Sequence, residues 1–222
     1  MRIIDLCVSL SVLIFLTPIF LLLSIALRAT GEGEILYFQR RIGLDGKAFS
    51  VIKFATMLKD SPNLGTGTIT SKNDVRILPV GRFLRKTKIN ELPQFCNILA
   101  GQMSLIGPRP HAEQDLLGVS DNFLKIIFNM KPGLSGIGSI VFRNEENILN
   151  NFTDPRSFYD THIAPYKAEL EVWYYYNRSI FLNIVLMLMT VYVVCSGKIS
   201  IVYKVFKSLP RPSKHLEKYL IN

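Results

Sequence analysis

Twenty-two consecutive residues, Leu6–Leu27, carry no charge. Wound into a helix at about 1.5 Å per residue, such a run reaches across a bilayer core of roughly 30 Å. Arg2 precedes it and Arg28 follows it. A secretory signal is the competing reading, but the apolar stretch is long for one and no A-x-A site precedes Gly31. Thr17-Pro18 sits mid-run. Pro18 has no N–H to donate and crowds the carbonyl four residues back, so a kink is predicted. A kinked helix can span the bilayer, or turn back so that both ends face the cytoplasm. Basic residues at both ends suit either geometry.

A second apolar run, Ser179–Cys195, is interrupted only by Asn183 and Thr190. Its length is marginal for a span, and Trp173-Tyr174-Tyr175-Tyr176 precedes it as a headgroup-level aromatic cluster would. A helix lying in the interface is predicted, with a buried core helix as the alternative. After Gly197 the chain carries six Lys/Arg against one Glu, which reads as a tail against lipid or solvent. The organisation is thus an anchor over 1–30, a domain over 31–197 that contains the interfacial helix 179–195, and a basic tail over 198–222.

The charge balance fits this placement. There are 26 Lys and Arg against 17 Asp and Glu, a net charge of +9. Anionic lipid, phosphorylated substrates and nucleic acid all suit such a balance. No RNP, KH or zinc-finger signature is present, so nucleic acid is set aside. Cys7, Cys96 and Cys195 form no CxxC pair and read as reduced thiols in a cytoplasmic context. His111, His162 and His215 lack zinc-ligand spacing.

Between the apolar runs, Ile35–Phe38 and Phe49–Phe54 read as the strands of a hairpin turning at Gly43 and Asp45-Gly46. Leu58–Asn73, rich in Gly, Ser, Thr and Asn, reads as a surface loop. Ala112–Met130 reads as an amphipathic helix stopped by Pro132-Gly133, with Gly133, Gly136 and Gly138 as a flexible turn region.

Three features suggest phosphate chemistry. Arg76, Arg82, Arg85, Lys86 and Lys88 crowd ahead of Asn90-Glu91; arginine grips phosphate oxygens bidentately and lysine as a point charge. Alone, this cluster reads equally as a solvated basic face. Glu91, held before Pro93, is a carboxylate among cations, suited to metal binding, nucleophilic attack or acid/base work, or to a surface ion pair. Gly107-Pro108-Arg109-Pro110 fixes an arginine between two prolines, which lowers the ordering cost of holding phosphate; a simple turn is the alternative. An anchored chain would bring such a site to a lipid phosphate.

Joint occurrence of further motifs, in order, carries a resemblance. They are Arg40-Arg41-Ile42-Gly43 with Gly46-Lys47, Lys53-Phe54 with Thr56-Met57, and Gly81–Thr87 running on to Glu91-Leu92-Pro93-Gln94. Asn97-Ile98-Leu99, Gly101, Met103-Ser104-Leu105, Gly107–Pro110 and Lys131–Gly136 complete the set. Over residues 3–195 the chain resembles the small monotopic phosphoglycosyl transferases, the bacterial sugar transferase family.

The resemblance implies a mainly α fold with a small β-hairpin, a re-entrant N-terminal helix broken at Thr17-Pro18, and interfacial amphipathic helices. It implies transfer of a sugar-1-phosphate from a UDP-sugar to undecaprenyl phosphate, with release of UMP, as the first membrane step of surface polysaccharide or glycoconjugate assembly. Magnesium is the implied cofactor, with Glu91 as its ligand. The implied setting is the cytoplasmic face of a bacterial inner membrane, with downstream glycosyltransferases as further partners. Lys53, Arg85 and Arg109 match phosphate-binding positions, and Gly107, Pro108 and Pro110 shape the loop.

The family's catalytic pair is Asp-Glu, its Asp attacking phosphate to form a covalent intermediate. Glu91 matches the Glu, but Asn90 stands at the nucleophile, and a carboxamide is a very poor one. Ala55 replaces a common Arg or Lys, and Gln102 a common Asp or Glu. Four readings stay open. Another carboxylate, Glu91 or one of Glu145-Glu146, takes the nucleophile's role. The lipid phosphate attacks directly. The chain is a membrane scaffold that binds nucleotide sugar or polyprenyl phosphate without turnover. Or it is a basic membrane-surface binder.

Overall fold

The computed structural model describes residues 1–61, 74–116 and 120–221. They are mostly helical, with the predicted antiparallel hairpin. They form two compact units, Met1–Arg41 with Ala48–Met103, and Ile42–Lys47 with Ser104–Asn222. The anchor predicted over 1–30 is thus part of a larger unit.

In the first unit, α1 spans Arg2–Thr30 and passes through Pro18 without interruption. Asp5, Ser9 and Leu27 are buried, and Val12, Leu13, Leu16, Phe20, Leu23 and Ser24 are half-buried. Their spacing of three and four is one helical stripe. The opposite face is apolar and open, with Phe15, Leu22 and Ile25 between 68% and 80% exposed. Strands β1 (Leu36–Ile42) and β2 (Ala48–Phe54) follow. Leu27 and Phe54 share a core with Leu84, and Phe20 meets Phe54 edge-on at 5.3 Å.

Of the loop predicted over Leu58–Asn73, residues 62–73 lie outside the described residues. The chain on either side is paired: Leu58 N–H donates to Arg76 O, and Met57 bridges Ile77. The buried Arg76 guanidinium binds Asp74 and donates to Ser61 O. Helix α2 (Pro79–Thr87) starts on a proline, whose missing N–H costs nothing there. A Cβ at Gly81 would lie 2.2 Å from Thr56 O, so only glycine lets α2 approach the end of β2. Lys88 ends α2 at φ 62°, the turn Ile89–Glu91 follows, and then α3 (Gln94–Leu99). The Arg2 guanidinium donates to Ile98 O and Leu99 O, placing a cation at the C-terminal end of α3.

The second unit holds a parallel pair that the sequence reading missed. Strand β3 (Ser104–Ile106) lies beside β4 (Gly133–Ser135), Ser104 opposite Gly133 and Ile106 opposite Ser135. The helix predicted over Ala112–Met130 shortens to α4, Asp121–Phe128. Ser120 is the reason: its Oγ accepts from Phe123 N–H and starts the helix afresh. Residues 113–116 form a separate tight turn.

Gly133, Gly136 and Gly138 are not a flexible region. A Cβ at Gly133 would fall 2.1 Å from Gly107 N, and one at Gly136 would fall 2.2 Å from Gly107 O. Gly133 and Gly136 permit backbone-to-backbone packing; Gly136 also caps α5 (Ile137–Val141), and Gly138 lies in its first turn.

Short helices α6 (Glu145–Leu149) and α7 (Pro155–Phe158) lead through the turn Tyr159–Ile163 to α8 (Ala164–Asn177) and α9 (Ile180–Ser196). The aromatic cluster divides. Tyr174 is buried, its OH donating to Asn183 Oδ1, and Trp173 packs on Phe206, while Tyr176 is exposed. Helix α9 buries Leu186 and Val193 and exposes Phe181, Leu188 and Val191.

The basic tail is also built into this unit. Helices α10 (Ile201–Val205) and α11 (Lys214–Leu220) bury Val202, Leu216 and Leu220. Tyr166 OH donates to Pro210 O and lies 3.0 Å from Tyr203 OH. The charge count hid this sparse apolar spacing.

Candidate active site

In the first unit β2 carries Lys53 and the turn Ile89–Glu91 carries Glu91. Lys53 Nζ lies 3.7 Å from Glu91 Oε1, and both side chains are about five-sixths buried, 17% and 16% exposed. Water is partly excluded, so the attraction between the two charges is screened less than at the surface. Asn90 is buried, and its Oδ1 has no hydrogen-bond partner. A buried acceptor left open is uncommon and calls for a reason.

The cation cluster divides. Arg82, Lys86 and Lys88 are exposed on α2 and its end, the solvated face that the sequence also allowed. Arg85 is half-buried and reaches Met57 Sδ at 3.6 Å. Arg76 sits in the Asp74 pair described above. Its hydrogen bonds hold the Asp74 carboxyl below the usual carboxylate range, with Arg85 adding a smaller pull.

Gly107–Pro110 belongs to the second unit. Gly107 N–H donates to Ser135 O at 2.9 Å, and Pro108 O accepts from Gly133 N–H at 2.8 Å. The loop's backbone is thereby tied to β4 at its start, while Arg109 is exposed.

Around α8 lies a polar cluster that the sequence reading did not find. Lys167 pairs with Glu145 and sits over the Phe142 and Tyr159 rings. Burial pulls the Lys167 ammonium down, opposed by Glu145, and the Arg109 charge adds to the lowering. Glu145 is therefore engaged in an ion pair. Glu171, one turn on, is 5% exposed, and burial pushes its carboxyl up to about 8. A Cβ on Gly138 would lie 2.7 Å from Glu171 Oε1, so the carboxyl rests on that glycine. The Lys167-x-x-x-Glu171 spacing was the available signal, but it reads as an ordinary surface pair.

At the helix break predicted for Thr17-Pro18, Thr17 Oγ1 donates to Leu13 O at 2.8 Å. Among the described residues no group of three or more His, Cys, Asp or Glu is placed to hold a metal. The cysteines are free.

The first unit's arrangement offers a compensated carboxylate, an ammonium and an unpaired carboxamide oxygen. The second offers an exposed guanidinium on a fixed loop. The ammonium and the guanidinium are each suited to binding phosphate oxygens, and the carboxylate and carboxamide oxygens to binding a cation.

Known proteins align with this chain over most of its length. The sequence model described as bacterial sugar transferase matches residues 1–197. The chain is 34% identical over 198 residues to the UDP-glucose:undecaprenyl-phosphate glucose-1-phosphate transferase of Klebsiella pneumoniae, covering 86% of this chain and 39% of that protein. It is 31% identical over 208 residues to the exopolysaccharide production protein ExoY of Sinorhizobium fredii, covering 87% and 84%. It is 30% identical over 207 residues to the undecaprenyl-phosphate galactose phosphotransferase of Salmonella typhimurium, covering 87% and 40%. The chain thus spans well under half of the Klebsiella and Salmonella proteins and most of ExoY.

Proposed function

The chain belongs to the bacterial sugar transferase family, and from that premise we propose that it moves a sugar-1-phosphate from a UDP-sugar to undecaprenyl phosphate and releases UMP. The observation that carries this reading is the partly buried Lys53–Glu91 pair beside the unpaired Asn90 carboxamide. The names of the Klebsiella and Salmonella relatives support the substrate class.

Asn90 argues for direct attack. Its carboxamide cannot act as the family's carboxylate nucleophile. In this reading a lipid phosphate oxygen forms the new P–O bond to the sugar's phosphorus. The bond from that phosphorus to the UMP oxygen breaks, and UMP leaves. Lys53 and Arg85 hold phosphate oxygens, and Glu91 orients Lys53.

Magnesium fits these residues. Glu91 offers a hard carboxylate oxygen and Asn90 Oδ1 a buried oxygen with no partner. So few protein ligands suit an ion that keeps waters and takes substrate phosphates. When bound, it would neutralise developing phosphate charge.

Membrane placement follows from α1. Both its ends pack on its own unit, Arg2 at α3 and Leu27 beside Phe54. A helix standing straight across a bilayer from a domain on one side would touch that domain at one end only. The stripe of buried and half-buried positions and the apolar outer face therefore support a re-entrant helix, and the exposed face of α9 supports an interfacial one. The site then faces the cytoplasm of a bacterial inner membrane, and its lipid product passes to downstream glycosyltransferases.

The second reading is a family member that binds nucleotide sugar or polyprenyl phosphate without turnover, and Asn90 is its support. UMP formation from a panel of UDP-sugars, with the full chain in nanodiscs containing undecaprenyl phosphate, separates the two. UMP from at least one sugar is expected; none from any sugar, with binding retained, favours the second reading.

A further inference from the structure

We propose that Asn97 is a positioning residue that sets the Lys53–Glu91 geometry by joining β2 to α3. Asn97 lies on α3 and is 1% exposed. Its Oδ1 accepts from Ile52 N–H at 2.9 Å, and its Nδ2 donates to Ser50 O at 2.7 Å. The carboxamide thus stands in for a peptide group of a neighbouring strand along β2. Backbone partners on both sides fix which atom is oxygen and which is nitrogen. The second Nδ2 hydrogen goes to Gln102 Oε1 at 2.7 Å, and Asn97 O accepts from Gln102 N–H at 3.0 Å.

One of the two elements joined here carries Lys53, and the other follows the turn that carries Glu91. Lys53 is the next residue after Ile52 on β2, and Glu91 lies three residues before α3 begins. Asn97 supplies backbone pairing to β2 at Ser50 and Ile52, so loosening it frees Lys53 relative to Glu91. Gln102 completes the device as the acceptor that occupies the remaining amide hydrogen.

The catalytic consequence rests on the proposed transfer, whereas the positioning does not, so the test reads both. The full chain in nanodiscs is treated with an amine-acylating reagent, and each lysine's rate is followed by mass spectrometry. Asn97→Ala, which removes three side-chain hydrogen bonds, is expected to label Lys53 at least about fivefold faster than wild type, a change equal to the net worth of a single such bond. Lys167, a comparably buried and ion-paired lysine of the other unit, keeps its rate. UMP formation falls in kcat with KM for the nucleotide sugar little changed. Gln102→Ala gives a smaller rise at Lys53, and Gln102→Glu, which keeps an acceptor, restores the wild-type rate. Unchanged Lys53 labelling in both Asn97→Ala and Gln102→Ala overturns the proposal. An equal rise at Lys53 and Lys167 also overturns it, since that marks general loosening. If Asn97→Ala does not fold, the Gln102 pair decides. Absence of UMP in wild type would defeat the transfer reading and leave the labelling result standing.

Discussion

Lys53 Nζ and Glu91 Oε1 stand 3.7 Å apart where both side chains are mostly buried. One comes from a strand edge and the other from a tight turn 38 positions along the chain, so the fold is what makes them a unit. Each helps to neutralise the other in a partly dry setting, so removing either costs the other part of its compensation.

Lys53→Met and Glu91→Gln are each expected to lower kcat for UMP formation by about a hundredfold or more. Thermal unfolding should register a cost of about 1–3 kcal/mol for each. The double variant should lose less than the sum of the two single losses, because the residues act together. Fully additive losses would mean that the pair is not a functional unit.

Gly133→Ala should be more damaging than its size suggests. The new methyl would sit 2.1 Å from Gly107 N, inside the β3–β4 pairing. Overpacking of this kind costs about 1–3 kcal/mol or more, and here the obstacle is backbone that cannot rotate away. Unfolding midpoints of Gly133→Ala and of Gly33→Ala test this. Nothing stands within 4 Å of a Cβ at Gly33, where only the positive φ of 82° is strained. Equal midpoints would contradict the packing argument.

How much of this was legible in sequence differs by feature. The hairpin was readable because alternating strands flank Gly43 and Asp45-Gly46. The two apolar helices were readable because an uncharged stretch admits few environments. The parallel β3–β4 pair was not, since two three-residue strands joined through a crossover leave no periodic signal. Gly133 and Gly136 looked like turn residues because close backbone approach and turning favour the same amino acid. Lys53 and Glu91 were singled out by motif, yet their contact depends on α3 packing against β2. Glu171 was missed because burial is a tertiary property, and one turn after Lys167 it resembles a surface pair.

Glu171 gives the fold a pH signature. Burial raises its carboxyl from an ordinary 4.5 to about 8. The folded state therefore binds a proton that the unfolded state has lost between these values. This contribution to stability is complete below the unfolded pKa and declines as pH rises through the folded one. Glu171→Gln keeps the shape without the charge. Its melting temperature should match wild type near pH 4.5 and exceed it increasingly toward pH 8 and above. A difference that does not vary with pH would contradict this account.

Leu186 and Leu188 separate packing from lipid contact on one helix. Leu186 is 0% exposed and Leu188 is 67% exposed. Leu186→Ala should cost about 2–5 kcal/mol in detergent. Leu188→Ser should stay within about 0.5 kcal/mol there, yet weaken partitioning onto vesicles. Equal stability losses would argue that α9 is enclosed by protein on both faces.

The most direct measurement of the proposed chemistry follows UMP and intact protein mass together, with and without undecaprenyl phosphate. Direct transfer predicts that the wild type releases UMP only when the lipid phosphate is present and never carries a sugar-phosphate adduct. Asn90→Asp, which restores a carboxylate, should release UMP and gain the adduct without lipid. A wild-type protein that carries the adduct, or that releases UMP with no lipid acceptor, would contradict the account.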